Sequence, residues 1–158
     1  MAERSTNTID SLLFNLTVAI QPARRAWIPV ASMGMAGTGL SAPLATVLVL
    51  VWRSGPRVPQ SVIAVELGVN PAAIVRTLDQ GQALGLLTRR DVLEDRRVKE
   101  IKLLPKGVRL AKDMEKTLAM LRRRLIEDLS HEDIETATRV LRTLELRSVA
   151  LIKVERKT

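Results

Sequence analysis

A chain of 158 residues, 46% of them hydrophobic, can bury one sizeable core and sits near the common length of a single domain. With no cysteine and one histidine, His131, it excludes disulfide frameworks, thiol nucleophiles and cysteine-based redox sensing, and it supplies little for a metal site or a His-based triad. A net charge of +8 favours a polyanion such as nucleic acid or an acidic membrane surface, and with Phe14, Trp27 and Trp52 as its aromatics the chain lacks a stacking platform for single strands, so a duplex fits better.

Residues 1–10 are polar and read as a flexible arm, with Thr8 or Asp10 placed to cap a first helix. Leu12, Leu13, Leu16 and Ile20 recur at helical spacing, and Pro22 and Pro29 are expected to kink or restart the helix. The Gly-rich stretch from Met33 to Leu40 is its exit loop. No charge falls between Arg25 and Arg53, but Pro29, Gly34, Gly37, Gly39 and Pro43 interrupt that stretch. Its unbroken apolar part, Leu44 to Trp52, is too short for a hydrocarbon core of about 30 Å. No secretory signal opens the chain, so we expect a cytoplasmic protein with no membrane partner.

Ser41, as N-cap, and Pro43 open a second, mostly buried helix that stops at Ser54-Gly55-Pro56. A short helix from Pro59 to Leu67 ends at Gly68, and Asn70 caps another that begins at Pro71 and runs to about Ala83, with Ile74, Val75 and Leu78 inward. Two short helices joined by a Gly-containing turn form a helix-turn-helix. Gly85 releases the chain into two alternating runs around a charged tip, a β-hairpin with seven basic and four acidic residues between Leu86 and Lys106. Two helices follow, carrying stripes at Val108, Ala111, Met114, Leu118, Leu121 and Leu125 and at Ile134, Ala137, Leu141 and Leu144. Ser130 to Asp133 forms an approximate capping box. These stripes need a partner surface, and a second copy of the chain is the economical one, with Leu118, Leu121, Leu125, Ile134, Leu141 and Leu144 as dimerisation residues.

The order of elements, together with Glu66-Leu67-Gly68-Val69, Ile74-Val75-Arg76, Leu78-Asp79, Gly85-Leu86-Leu87, Asp95-Arg96-Arg97, Ile101-Lys102-Leu103, Pro105-Lys106-Gly107 and Leu129-Ser130-His131-Glu132-Asp133, resembles the MarR family of bacterial transcription regulators. The match runs from about Arg24 to Arg147. Leu104 stands where that family usually has Thr, and Ala72 and Ala73 stand where relatives often carry Ser or Thr. The resemblance implies a mainly α fold with a small β-hairpin wing: a winged helix-turn-helix over 41–105, and a helical dimerisation region from 11–40 and 106–158.

A helix reading a duplex presents its N-terminal half to the major groove while a cationic element reaches the backbone or the minor groove. Asn70, Ala72, Ala73, Arg76, Thr77 and Gln80 occupy the presented surface, with Arg76 suited to a guanine edge or a phosphate. Arg96 or Arg97 is the expected minor-groove probe, beside Lys99; the resemblance favours Arg97, oriented by Asp95. Arg122-Arg123-Arg124 reads as a solvated face or as partner-helix salt bridges. The resemblance also implies a small, often aromatic and anionic effector, with Trp27, Met33, Met35 and Trp52 as candidate walls and Arg24 or Arg25 as the cation; Met and Trp at these spacings also serve as core filling. No phosphate loop and no nucleophile with its base appear, so we expect no enzyme, cofactor or metal. The functions in view are a ligand-responsive repressor on a pseudo-palindromic operator, a nonspecific architectural DNA binder, and a basic module for an acidic protein.

Overall fold

The computed structural model describes residues 2–92 and 98–155, with side chains from residue 8 onward. It divides into two compact units, Met1–Leu121 and Arg122–Thr158.

In the first unit, α1 (Ala2–Met35) is one continuous helix. The stretch expected as a polar arm is thus its opening turns, and the prolines neither end nor restart it. Pro22 and Pro29 are seven residues apart, on one exposed face, where water can satisfy the carbonyls that a proline four residues later leaves without a donor. Helix α2 (Ala42–Ser54) buries Leu44, Val47, Leu48 and Val51. Ser41 holds its N-cap position without a side-chain capping bond. Pro43, at the second helical position, has no N–H to offer that hydroxyl, which instead donates to Gln80 Oε1 at 3.1 Å.

After α2 come β1 (Val58–Pro59), α3 (Gln60–Leu67), α4 (Val75–Ala83), β2 (Leu87–Asp91) and β3 (Lys99–Leu103). The sheet is antiparallel with order β1-β3-β2, so β3 is central, pairing Ile101 with Val58 and with Arg89. Strand β1 was not anticipated: two residues are too few to show alternation, and Pro59 is tolerable because β1 is an edge. Val58, Leu87, Ile101 and Leu103 join Ile63, Leu78 and the buried face of α2 in one core.

Helix α5 (Pro105–Leu125) closes this core with Ala111, Met114 and Leu118. Two glycines allow close approaches onto it. A Cβ at Gly34 would lie 2.6 Å from Leu118 Cδ2, so α1 can reach α5 only with a hydrogen there. Gly107 packs against the backbone of Leu86, and a Cβ would stand 2.9 Å from the Leu86 carbonyl carbon and closer still to its oxygen. Leu118 is therefore core, 4% exposed, and not the dimerisation residue that its stripe suggested. Gly34→Val should lower the unfolding free energy by about 2 kcal/mol in denaturant melts, as overpacking of a tight contact does. Glu115, 5% exposed on α5, has its Oε1 3.6 Å from Nε of the exposed Arg53 of α2.

The second unit contains the end of α5 and α6 (His131–Glu155). The capping box forms as expected: the Asp133 N–H donates to Ser130 Oγ at 3.1 Å, and the Ser130 hydroxyl donates to Asp133 Oδ2 at 2.6 Å. Helix α6 buries no residue. Ile134 and Leu144 are half-buried, while Leu141, Leu146, Val149, Leu151, Ile152 and Val154 are exposed. Among the described residues, no helix is long and apolar enough to cross a membrane.

Candidate nucleic-acid interface

The turn between α3 and α4 is built by two residues. Gly68, at φ +66°, takes the left-handed conformation that ends α3, and the Val69 N–H then reaches back to the Ala64 carbonyl at 2.9 Å, the six-to-one bond of a Schellman cap. Asn70 follows: its Oδ1 accepts from the Ala72 N–H at 2.9 Å and its carbonyl accepts from the Ala73 N–H at 2.8 Å. Gln60 Nε2 donates to the Pro71 carbonyl at 3.0 Å, tying the first turn of α3 to this segment. Residues 71–74 are thus a hydrogen-bonded turn, and regular helix begins at Val75, later than the Pro71 start expected from the sequence. Asn70 caps the turn, because its side chain competes for backbone donors two residues on.

Ile74, Leu78 and Gly81 anchor one side of α4 in the core. Asn70, Ala72, Ala73 and Arg76 are exposed on the turn and first turn of α4, and Thr77 is half-buried. Gln80 is exposed, and its amide oxygen is held by Ser41. In the hairpin, Lys99 pairs with Asp91 directly across the strands. Asp95, Arg96 and Arg97 lie outside the described residues.

One pair carries positional weight that the sequence reading missed. Arg89 Nη2 on β2 donates to Asp79 Oδ1 on α4 at 2.8 Å, with the arginine side chain only 26% exposed. This charge-assisted bond joins α4 to the hairpin strand. Its signal in the sequence was present, an acid beside Leu78 and a base ten residues later, but spacing alone does not say that a helix and a strand meet there.

The proposed effector residues are dispersed. Trp27, Met35 and Trp52 pack against the core, whereas Arg24, Arg25 and Met33 are exposed. Met35 Sδ accepts from the Thr46 hydroxyl at 3.7 Å. Trp52 lines a cavity of about 350 Å³ whose other walls are Gly55, Pro56, Lys102, Leu103 and Val108, so the cation beside it is Lys102 and not an arginine of α1. Among the described residues, no cluster of His, Cys, Asp or Glu could hold a metal ion.

Comparison with known proteins agrees with this geometry. Residues 38–98 match the sequence model of the MarR family. The structure is similar to that of the transcriptional regulator PA3341, with 27% identity over 87% of this chain and 97% of that one and a TM-score of 0.69. It is similar to the transcriptional repressor CouR bound to a 23-mer DNA duplex, with 26% identity, 80% and 89% coverage and a TM-score of 0.64. CouR from Rhodococcus jostii RHA1 bound to p-coumaroyl-CoA shares the fold at 24% identity, 80% and 88% coverage and a TM-score of 0.71. Residues 38–98 thus match the MarR family, and the chain takes a mainly helical winged helix-turn-helix fold similar to that of the transcriptional regulator PA3341.

Proposed function

We propose that this protein is a dimeric, sequence-specific transcriptional repressor that reads a pseudo-palindromic duplex operator and is released by a small ligand. The observation that carries the reading is the arrangement of α4. Its buried side is fixed by Ile74, Leu78 and Gly81, and its N-terminal side leaves Asn70, Ala72, Ala73 and Arg76 open to a groove while Asp79 ties it to the hairpin. The similarity to a repressor bound to a DNA duplex supports the same use of this surface. Arg76 is the base-edge or phosphate contact, and Arg97 with Asp95 the minor-groove element.

The dimer rests on apolar faces that the chain leaves open. On α6 these are Leu141, Val149 and Ile152, with Leu125 at the end of α5; on α1 they are Ile9, Leu12 and Leu13. A monomer carrying such faces would be prone to aggregate, and a second copy of the chain is the partner that a symmetric assembly supplies. The cavity beside Trp52, with Lys102 in its wall, is the effector site that suits a small aromatic anion.

The test is binding to DNA flanking the protein's own gene, titrated against excess random duplex. Retention of the complex under competition supports the repressor, and complete loss to the competitor supports a nonspecific architectural protein. Arg97→Ala should weaken every duplex. Arg76→Ala should in addition relax preference at one base pair, a discrimination worth about 1–3 kcal/mol, read by comparing operator variants.

A further inference from the structure

The chain's positive charge is not confined to the helix-turn-helix and its hairpin. Within α4 the one base, Arg76, is balanced by one acid, Asp79. Helix α5 carries seven Lys or Arg against two acidic residues, Asp113 and Glu115; four of the seven, Lys106, Arg109, Lys112 and Lys116, stand in its first twelve residues, and the other three, Arg122, Arg123 and Arg124, at its end. Of those two acids, Glu115 is buried and lies against Arg53.

These cations are also sorted by face. At 3.6 residues per turn, Lys106, Arg109, Lys112 and Lys116 fall within about one third of the helix circumference, on the side opposite the buried Gly107, Ala111, Met114 and Leu118. All four are exposed, and they extend over about 15 Å of helix. Asp113 is the one acid on that side. Among the described residues, none of Arg109, Lys112 and Lys116 is in an ion pair, and Lys106 reaches only the Leu84 carbonyl, at 3.4 Å.

This arrangement opposes folding. Like charges three and four residues apart repel along a helix, and cations in the first turn, where no acid stands, oppose the helix dipole. Among the described residues, no ion pair offsets either effect for Arg109, Lys112 and Lys116. A ladder of phosphates would. The basic face continues from Lys102, exposed on β3, through Leu104 directly into α5. Between its basic residues it carries no Trp or Phe of the kind that inserts into a bilayer.

We propose that the outer face of the first half of α5 is a second duplex-DNA contact, one that takes backbone phosphates without reading bases and lies apart from the α4 surface. This rests on the DNA-binding reading above but uses different residues, so the two can fail separately.

The experiment measures binding to a random-sequence duplex across a range of salt, for the full-length wild type and for the triple variant Arg109→Gln, Lys112→Gln, Lys116→Gln. Glutamine keeps helix propensity and a polar side chain while removing the charge, and melting curves check that the variant folds. The slope of log K against log salt should fall by roughly two to three, close to 0.9 for each phosphate that is no longer neutralised, while preference among operator variants is unchanged. An unchanged slope in a folded variant overturns the second contact, whereas failure of the wild type to bind any duplex would instead remove the reading on which it rests. Vesicles of anionic phospholipid provide the other arm. If the substitutions abolish vesicle binding and leave duplex binding intact, the partner is a membrane and the proposal is wrong.

Discussion

Gly107→Ala should destabilise the protein by about 3 kcal/mol, at the upper end of what overpacking costs. Gly107 is the third residue of α5 and is buried against the Leu86 backbone, where a methyl group meets a carbonyl that cannot rotate away. In an ordinary helix the same change would stabilise by about 1 kcal/mol, because alanine loses less backbone entropy than glycine. The sign of the result therefore reports packing. Denaturant titration of the two proteins measures it, and a variant as stable as the wild type would show that α5 does not pack on the turn before β2 as described. The close approach also explains why Pro105-Lys106-Gly107 works as a unit. The Leu104 N–H donates to the Leu86 carbonyl at 2.9 Å, and proline then opens the helix where a missing N–H costs nothing.

The second large effect concerns the uncovered faces. Leu141 and Ile152 lie on one stripe of α6, eleven residues apart, and both are about half exposed. Leu141→Glu with Ile152→Glu should leave the first unit folded and convert the protein to a monomer in sedimentation. A monomer engages one half-site where a dimer engages two, so affinity for a palindromic operator should fall on the order of a hundredfold or more. A double variant that still sediments as a dimer with undiminished affinity would place the interface elsewhere.

What the sequence made legible follows from the physics of each element. The helix-turn-helix and hairpin were readable because their signals are local: Gly68 supplies the left-handed turn, Asn70 a side-chain acceptor, and Gly85, at φ +67°, the release into β2. The stripes of α5 and α6 showed amphipathic helices, but periodicity gives a face without naming what covers it. Leu118 thus read as a dimer contact, although Gly34 brings α1 close enough to bury it. The continuity of α1 was hidden because proline reads as a breaker unless its neighbours are known to be exposed. The candidate site divides in the same way. The open surface from Asn70 to Arg76 follows from the motif, whereas the partners that hold Asp79, Gln80 and Lys99 come from other elements and needed the fold.

The measurement that tests the account most directly is a base-resolution footprint of the wild-type protein on the DNA upstream of its own gene, with random duplex present as competitor. Two protected half-sites related by a two-fold axis are expected, with centres about one helical turn, roughly 10 base pairs, apart or a multiple of that. Arg76→Ala should lose protection at matching positions in both. Continuous protection without half-sites, or none even at low salt, would contradict it.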